Sequence, residues 1–281
     1  MASAAFGKLV QHIHKLAAGR CAHERSDHQL LEAFFLNHDE HAFAVMVARH
    51  GPMVMRVCKR SLNHEQDAED TFQAVFLVLA QNAGSIRKRV ALAEWLHGVA
   101  YRTAMKAKRT AARRRNHEAR LQPRAPTAVA APSWDDVQNV LDGEIQQLPE
   151  SLRATFVLCV LEGKSGAEAS VQLGVKPGTV SSRLTRARQR LQQRLTRRGI
   201  NLSVLLAALA VSENVNNAVV RAVLANATVQ SGLIIATGGM VAGAIPRHIA
   251  TLASGVSKAM FLTKATLILF MMAATGLVAG S

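Results

Sequence analysis

Apolar residues recur at helical intervals along much of the chain. In residues 67–80, DAEDTFQAVFLVLA, Phe72, Val75, Phe76 and Leu79 stand at i, i+3, i+4 and i+7, one face of a helix. Asp67, Glu69 and Asp70 are expected in its first turn, where carboxylates complement the helix dipole. In residues 92–115 the pattern returns, with Trp95, Leu96, Val99 and Ala100 as an apolar stripe near the start. There Arg102, Lys106, Arg109 and Arg113 follow at spacings of 4, 3 and 4, so they share one helical face. A third pattern fills residues 148–195. A helix over residues 149–161 is closed by Gly163, and Ser165 and Glu168 have the S-x-x-E form of a capping box that opens a second helix. Gly174 suits the left-handed turn at that helix's end, and Pro177 suits the start of a third. The third helix has Val180, Leu184, Ala187 and Leu191 on one face. Ser181, Ser182, Arg183, Thr185, Arg186, Arg188 and Arg190 lie on the others.

Between these blocks, QPRAPTAVAAP at residues 122–132 carries three prolines among small residues, which reads as a flexible linker and a domain boundary. The expected fold is all-α: two small helical domains joined by that linker, followed by an Ala-rich helical tail. The segments are residues 1–25 (lead-in), 26–121 (first domain), 122–133 (linker), 134–198 (second domain), 199–258 (Ala/Val-rich extension) and 259–281 (a transmembrane helix). The last rests on an uncharged run of 17 residues from Ala265 to Ser281. Adding residues 260–263 gives about 21 if Lys264 snorkels to the interface. Lys258 and Lys264 on its N-terminal side would keep the basic body in the cytoplasm, tethered to the inner membrane by residues 260–280.

Charge narrows the function. With 34 Lys and Arg against 19 Asp and Glu, the net charge of +15 points to a polyanionic partner. The excess is uneven. Residues 87–124 hold twelve Lys and Arg against Glu94 and Glu118, whereas residues 201–257 carry only Glu213, Arg221 and Arg247. Cys21, Cys58 and Cys159 form no CxxC, so neither a disulfide framework nor a zinc motif is expected. His12, His14, Cys21, His23 and His28 match no standard zinc spacing, and no metal or cofactor is expected. No P-loop, GxSxG or HExxH motif suggests an enzyme. Two short helices, a glycine turn and an Arg-rich helix instead compose a helix-turn-helix, whose last helix enters the major groove N-terminus first.

The run LPESLRATFVLCVLEGKSGAEASVQLGVKPGTVSSRLTRARQRL resembles region 4 of the extracytoplasmic-function (ECF) sigma factors of the sigma-70 family. DAEDTFQAVFLVLA resembles region 2.2, and WLHGVAYRTAMKAKRTAARRR resembles regions 2.3 and 2.4. The motifs stand in the family's order. The SIRKR and WLHGVAYR wording and the apolar tail also resemble the large sigma factors of planctomycete-type bacteria. The resemblance implies a non-enzymatic subunit that directs core RNA polymerase to promoter DNA. It implies −35 recognition by Lys176, Thr179, Ser181, Ser182, Arg183, Arg186, Arg188 and Arg190. It implies −10 contacts from Ser85, Arg87, Lys88, Arg89, Arg102, Lys106, Arg109 and Arg113. Asp67, Asp70 and Gln73 would dock on the β′ clamp helices, with the β flap and an anti-sigma factor as further partners. Trp95 has two readings, a base-stacking group or a core residue. The chain departs from the family pattern at Gly166, which lowers helix propensity by about 1 kcal/mol relative to Ala, and at Ser181, where Lys is common. The tail also has two readings: helices in residues 200–257 that mask the sigma domains, or a spacer to the membrane. The competing function is a membrane-tethered helix-turn-helix regulator that acts without polymerase.

Overall fold

A computed structural model of the chain describes residues 25–62, 64–86, 91–121, 134–207, 222–238 and 245–257. Regular structure among the described residues is entirely helical, as expected. Helix α1 (Asp27–Asn37) starts at a capping box in which Ser26 Oγ accepts from the Gln29 N–H and Gln29 Oε1 accepts from the Ser26 N–H. Helix α2 (Glu40–Ser61) is capped by Asp39, whose carboxylate accepts from the His41 and Ala42 N–H groups. Helices α3 (Glu65–Asn82) and α4 (Leu92–Leu121) pack against α2. A ring cluster ties the three N-terminal helices together. Phe34 of α1 stacks on Phe43 of α2 at 4.5 Å, Phe43 meets Phe76 of α3 edge-on at 6.4 Å, and Phe72 lies 4.9 Å from Phe76.

Helix α3 differs from its prediction in two ways. It starts at Glu65, so Glu65 and Asp67 hold its first turn and Asp70 falls in the second. It is also more than amphipathic: between Thr71 and Asn82 only Gln73 and Gln81 escape full burial. Three helices enclose it. Helices α2 and α4 cover the predicted stripe, and α9 (Ala222–Ala236), from the tail, packs on α3 as well.

Further helices are α5 (Trp134–Gln146), α6 (Glu150–Phe156), α7 (Gly166–Leu173) and α8 (Pro177–Thr196). They close around Leu141, Ile145, Phe156, Leu158, Ala169, Val180, Ala187, Leu191 and Leu195, all buried. A further helix, α10, spans residues 247–257. No helix among the described residues is long and apolar enough to cross a membrane. The expected span at residues 260–280 lies outside the described residues. So do linker 122–133, Arg87, Lys88, Arg89, and the N-terminal group His12, His14, Cys21 and His23.

Helices α5 to α7 pack directly on the N-terminal bundle through a polar seam. Buried Arg60 of α2 grips buried Asp142 of α5 with two nitrogens, Nε–Oδ2 at 3.0 Å and Nη2–Oδ1 at 2.8 Å. His97 Nε2 lies 3.0 Å from the same carboxylate, and Gln146 is 2.7 Å from His97 Nδ1. Burial alone would raise the Asp142 pKa, but Arg60 and His97 overcome it and hold the carboxyl below its ordinary range. Farther along, fully buried His50 has Nδ1 at 2.6 Å from Glu162 and Nε2 at 3.2 Å from Asp27. Arg49 and Gln172 also reach Asp27, at 2.5 and 2.6 Å. Arg153 of α6 meets Glu94 of α4 at 2.6 Å, and Arg56 donates to the Leu161 carbonyl at 2.6 Å.

The His50 cluster makes the seam pH-dependent. Burial alone would lower the His50 pKa, but the Glu162 and Asp27 carboxylates raise it from 6.5 to about 9. Its stabilisation is therefore complete below pH 6.5 and is lost as pH rises through about 9. Asp27 is shifted down, against its burial, by His50 and Arg49; its share is present above 3.8 and lost in stronger acid. Thermal melting between pH 6 and 10 is expected to show falling stability in the unaltered chain. That slope is expected to flatten in His50→Gln, and parallel pH profiles for the two chains would contradict the assignment.

Candidate nucleic-acid interface

The corner that presents α8 is built from local sequence signals. Past α6 the chain makes a wide turn, Val157–Leu161, with the Glu162 N–H donating to the Val157 carbonyl at 3.0 Å. Gly163 then takes φ +68°, a left-handed conformation that costs a residue with a Cβ. The predicted capping box is present: Ser165 Oγ accepts from the Glu168 N–H at 3.2 Å, and Glu168 Oε2 accepts from the Ser165 N–H at 2.8 Å. These hydrogen bonds hold the Glu168 carboxyl below its ordinary pKa. Gly174 ends α7 at φ +63°, and Pro177 occupies the first turn of α8.

Helix α8 divides along its length. Val180, Ala187, Leu191 and Leu195 are buried and Leu184 half-buried, so the predicted apolar face is the face that packs. Lys176, Thr179, Ser181, Ser182, Arg186, Arg188 and Arg190 are exposed, and Arg183 is half-buried. No carboxylate among the described residues forms an ion pair with Arg183, Arg186, Arg188 or Arg190. At the far end Arg194 and Arg198 are anchored on Glu144 of α5, at 3.5 and 2.8 Å. The helix is thus fixed at its C-terminal end, and Arg183, Arg186, Arg188 and Arg190 along its middle have no ion-pair partner among the described residues.

The second group of cations lies on α4. Arg109 and Arg113 are exposed. Arg102 is exposed as well; desolvation of its guanidinium and then the neighbouring Arg153 lower its pKa. Lys106 is turned to the tail and donates to the Thr251 carbonyl at 2.9 Å. Ser85 is exposed beyond α3 and donates to the Asn82 carbonyl at 3.0 Å. Trp95 is half-buried against the core, which favours packing over stacking on a base. Asp67, Asp70 and Gln73 are all half-buried along α3. Asp70 is already partnered, accepting from Gln66 at 3.1 Å and lying 2.9 Å from His248 Nε2.

Comparison with known proteins agrees with this arrangement. The family model for sigma-70 region 2 matches residues 46–114, and that for sigma-70 region 4 matches residues 138–191. The chain is 32% identical over 174 residues to the ECF RNA polymerase sigma factor SigM of Mycobacterium tuberculosis, covering 60% of this chain and 84% of that protein. It belongs to the ECF group of the sigma-70 family. Two further relatives are the RNA polymerase sigma factor CarQ of Myxococcus xanthus, 31% identical over 53% of this chain and 87% of CarQ, and the RNA polymerase sigma-H factor of Pseudomonas aeruginosa, 27% identical over 60% and 93%. This sigma factor is a DNA-binding subunit of transcription initiation, with core RNA polymerase and promoter DNA as its partners. Its tail helices α9 and α10 lie beyond both matched regions.

Sequence reasoning missed the ionic seam of this sigma factor. A signal was present: His50, His97 and Asp142 occupy positions where the helical period calls for apolar residues, beside Val47, Leu96 and Leu141. A charged group at a core position implies a buried partner. Which partner it finds depends on helix packing across tens of residues.

Proposed function

We propose that this sigma factor reads the −35 element with the exposed N-terminal half of α8. In this reading Arg183 and Arg186 face base edges, while Lys176, Thr179, Ser181, Ser182, Arg188 and Arg190 line the groove and its phosphates. The observation that carries it is the set of cations without an ion-pair partner among the described residues, on a helix whose opposite face and C-terminal end are both anchored. Arginine's planar fork suits guanine O6 and N7 as well as phosphate. Arg102, Lys106, Arg109 and Arg113 of α4, with Ser85, Arg87, Lys88 and Arg89, track the opened −10 strand. Asp67, Asp70 and Gln73 meet the polymerase clamp. Residues 26–121 and 134–198 act as the two working domains, and the apolar run at residues 260–280, charged only at Lys264, tethers the chain to the membrane.

A helix-turn-helix regulator that binds duplex DNA alone would leave the region 2 match at residues 46–114 without a role. A mobility shift on promoter DNA with and without purified core polymerase separates the two. The sigma reading expects a specific shift only when core is present. A specific shift by the chain alone, unchanged by core, would support the free-standing regulator.

A further inference from the structure

Two tail helices pack on the N-terminal bundle, and the second of them, α10, touches residues that the proposed function assigns to polymerase and the −10 strand. Helix α9 packs on both α2 and α3, with Leu224, Thr228, Val229 and Gly232 buried. Gly232 is required for this fit, because a Cβ there would overlap the Phe43 ring. Gln230 Nε2 donates to Glu40 Oε1 at 2.9 Å. Helix α10 buries Ile249, Ala253 and Val256, which share one helical face. Its polar contacts fall on residues already assigned to binding. His248 Nε2 lies 2.9 Å from Asp70 Oδ2, and Lys106 Nζ donates to the Thr251 and Leu252 carbonyls at 2.9 and 3.4 Å. A Cβ on Gly255 would overlap the Lys106 ammonium, so a second glycine keeps that seat open. Asn82 Nδ2 donates to Ser257 Oγ at 3.3 Å.

We infer that α9 and α10 form an intramolecular cover that occupies the polymerase-facing side of α3 and the start of the cationic stripe on α4. The inference rests on the docking role proposed for Asp70. One helix takes up Asp70 and Lys106 together, so a single displacement frees both a protein-binding and a strand-binding group. Residues 201–257 carry only three charged side chains, so the cover seats by apolar burial and a few directed hydrogen bonds. It leaves a cavity of about 430 Å³, walled by Asp67, Asp70, Lys106, Arg114 and His248. Core polymerase binds the uncovered form, and its apparent affinity falls by the fraction of molecules that are uncovered.

The test uses the full chain with Asn82→Cys and Ser257→Cys, two positions whose native side chains meet at 3.3 Å across the α3–α10 contact, cross-linked by oxidation. Affinity for purified core polymerase is measured with the bridge oxidised and then reduced. The inference expects at least tenfold weaker binding in the bridged state, restored on reduction, so the same molecules serve as their own folding control. A second full-length variant, Gly232→Leu with Ala253→Glu, is expected to bind core at least tenfold more tightly than the unaltered chain. Equal affinity in the bridged and reduced states would overturn the cover. The docking reading is judged separately by Asp70→Arg in the reduced chain. Undiminished core binding by that variant removes Asp70 from the docking face, while the bridge comparison still decides whether the tail obstructs polymerase.

Discussion

Replacing Asp142 with Ala is expected to open the seam between the N-terminal bundle and α5 to α7. The substitution leaves Arg60 and His97 buried without the carboxylate they share. Removing one partner of a buried pair costs about 3–5 kcal/mol, because the surviving charge stays desolvated. Here the chain has a cheaper escape than unfolding. If the two helical groups separate, Arg60 regains water while each group keeps its own apolar core around Phe43 and Phe76 or around Phe156 and Leu191. The expected result for Asp142→Ala is therefore a larger radius of gyration in small-angle scattering, with helical circular dichroism retained. An unchanged radius together with unchanged stability would contradict it. The opening has a functional counterpart. Elements centred 25 base pairs apart lie roughly 85 Å apart along B-form DNA, yet α2 and the turn after α6 touch through His50 and Glu162 at 2.6 Å. In the reading proposed above, the seam parts before both elements are engaged on straight DNA. The linker at residues 122–133, fully extended, supplies up to about 40 Å of that reach.

The second large effect belongs to α8. Changing Arg183 and Arg186 together to Ala is expected to reduce promoter affinity of the polymerase complex. Each arginine that bonds a base edge accounts for about 5- to 150-fold, at roughly 1–3 kcal/mol per bidentate pair. An arginine that bonds a phosphate instead is expected, once removed, to lower the salt dependence by about one unit with little change in sequence preference. The binding should weaken without unfolding, since Arg186 is exposed and neither arginine has a carboxylate partner among the described residues. Promoter titrations at several salt concentrations, beside urea melts of both chains, measure the two quantities. Full promoter affinity in the double variant would remove α8 as the −35 reader.

The helix-turn-helix was legible in the sequence because its determinants are local. The Ser165–Glu168 box, Gly163, Gly174 and Pro177 each act within a few residues, and each does in the structure what its residue type predicts. The apolar stripe of α8 was legible for the same reason. Helix α3 was half legible: its stripe was plain, but the flanking Ala74, Leu77 and Val78 are buried too, in a helix enclosed by α2, α4 and α9. Nothing local announces a covering helix that lies some 150 residues downstream. That the tail packs on the bundle was not legible either, since the Gly232–Phe43 and His248–Asp70 contacts leave no local mark in the sequence. The seam was missed because Arg60, His97 and Asp142 come from three helices, and charge pairing at that range leaves no periodic mark.

Run-off transcription decides whether this sigma factor directs initiation through α8. Purified core polymerase, the full chain and a pool of genomic promoter fragments are combined, and start sites are mapped with the unaltered chain and with the Arg183→Ala, Arg186→Ala variant. The account predicts discrete start sites that require the chain and vanish in the variant, while the variant still binds core. Start sites that are the same with and without the chain, or that persist undiminished in the variant, would contradict it.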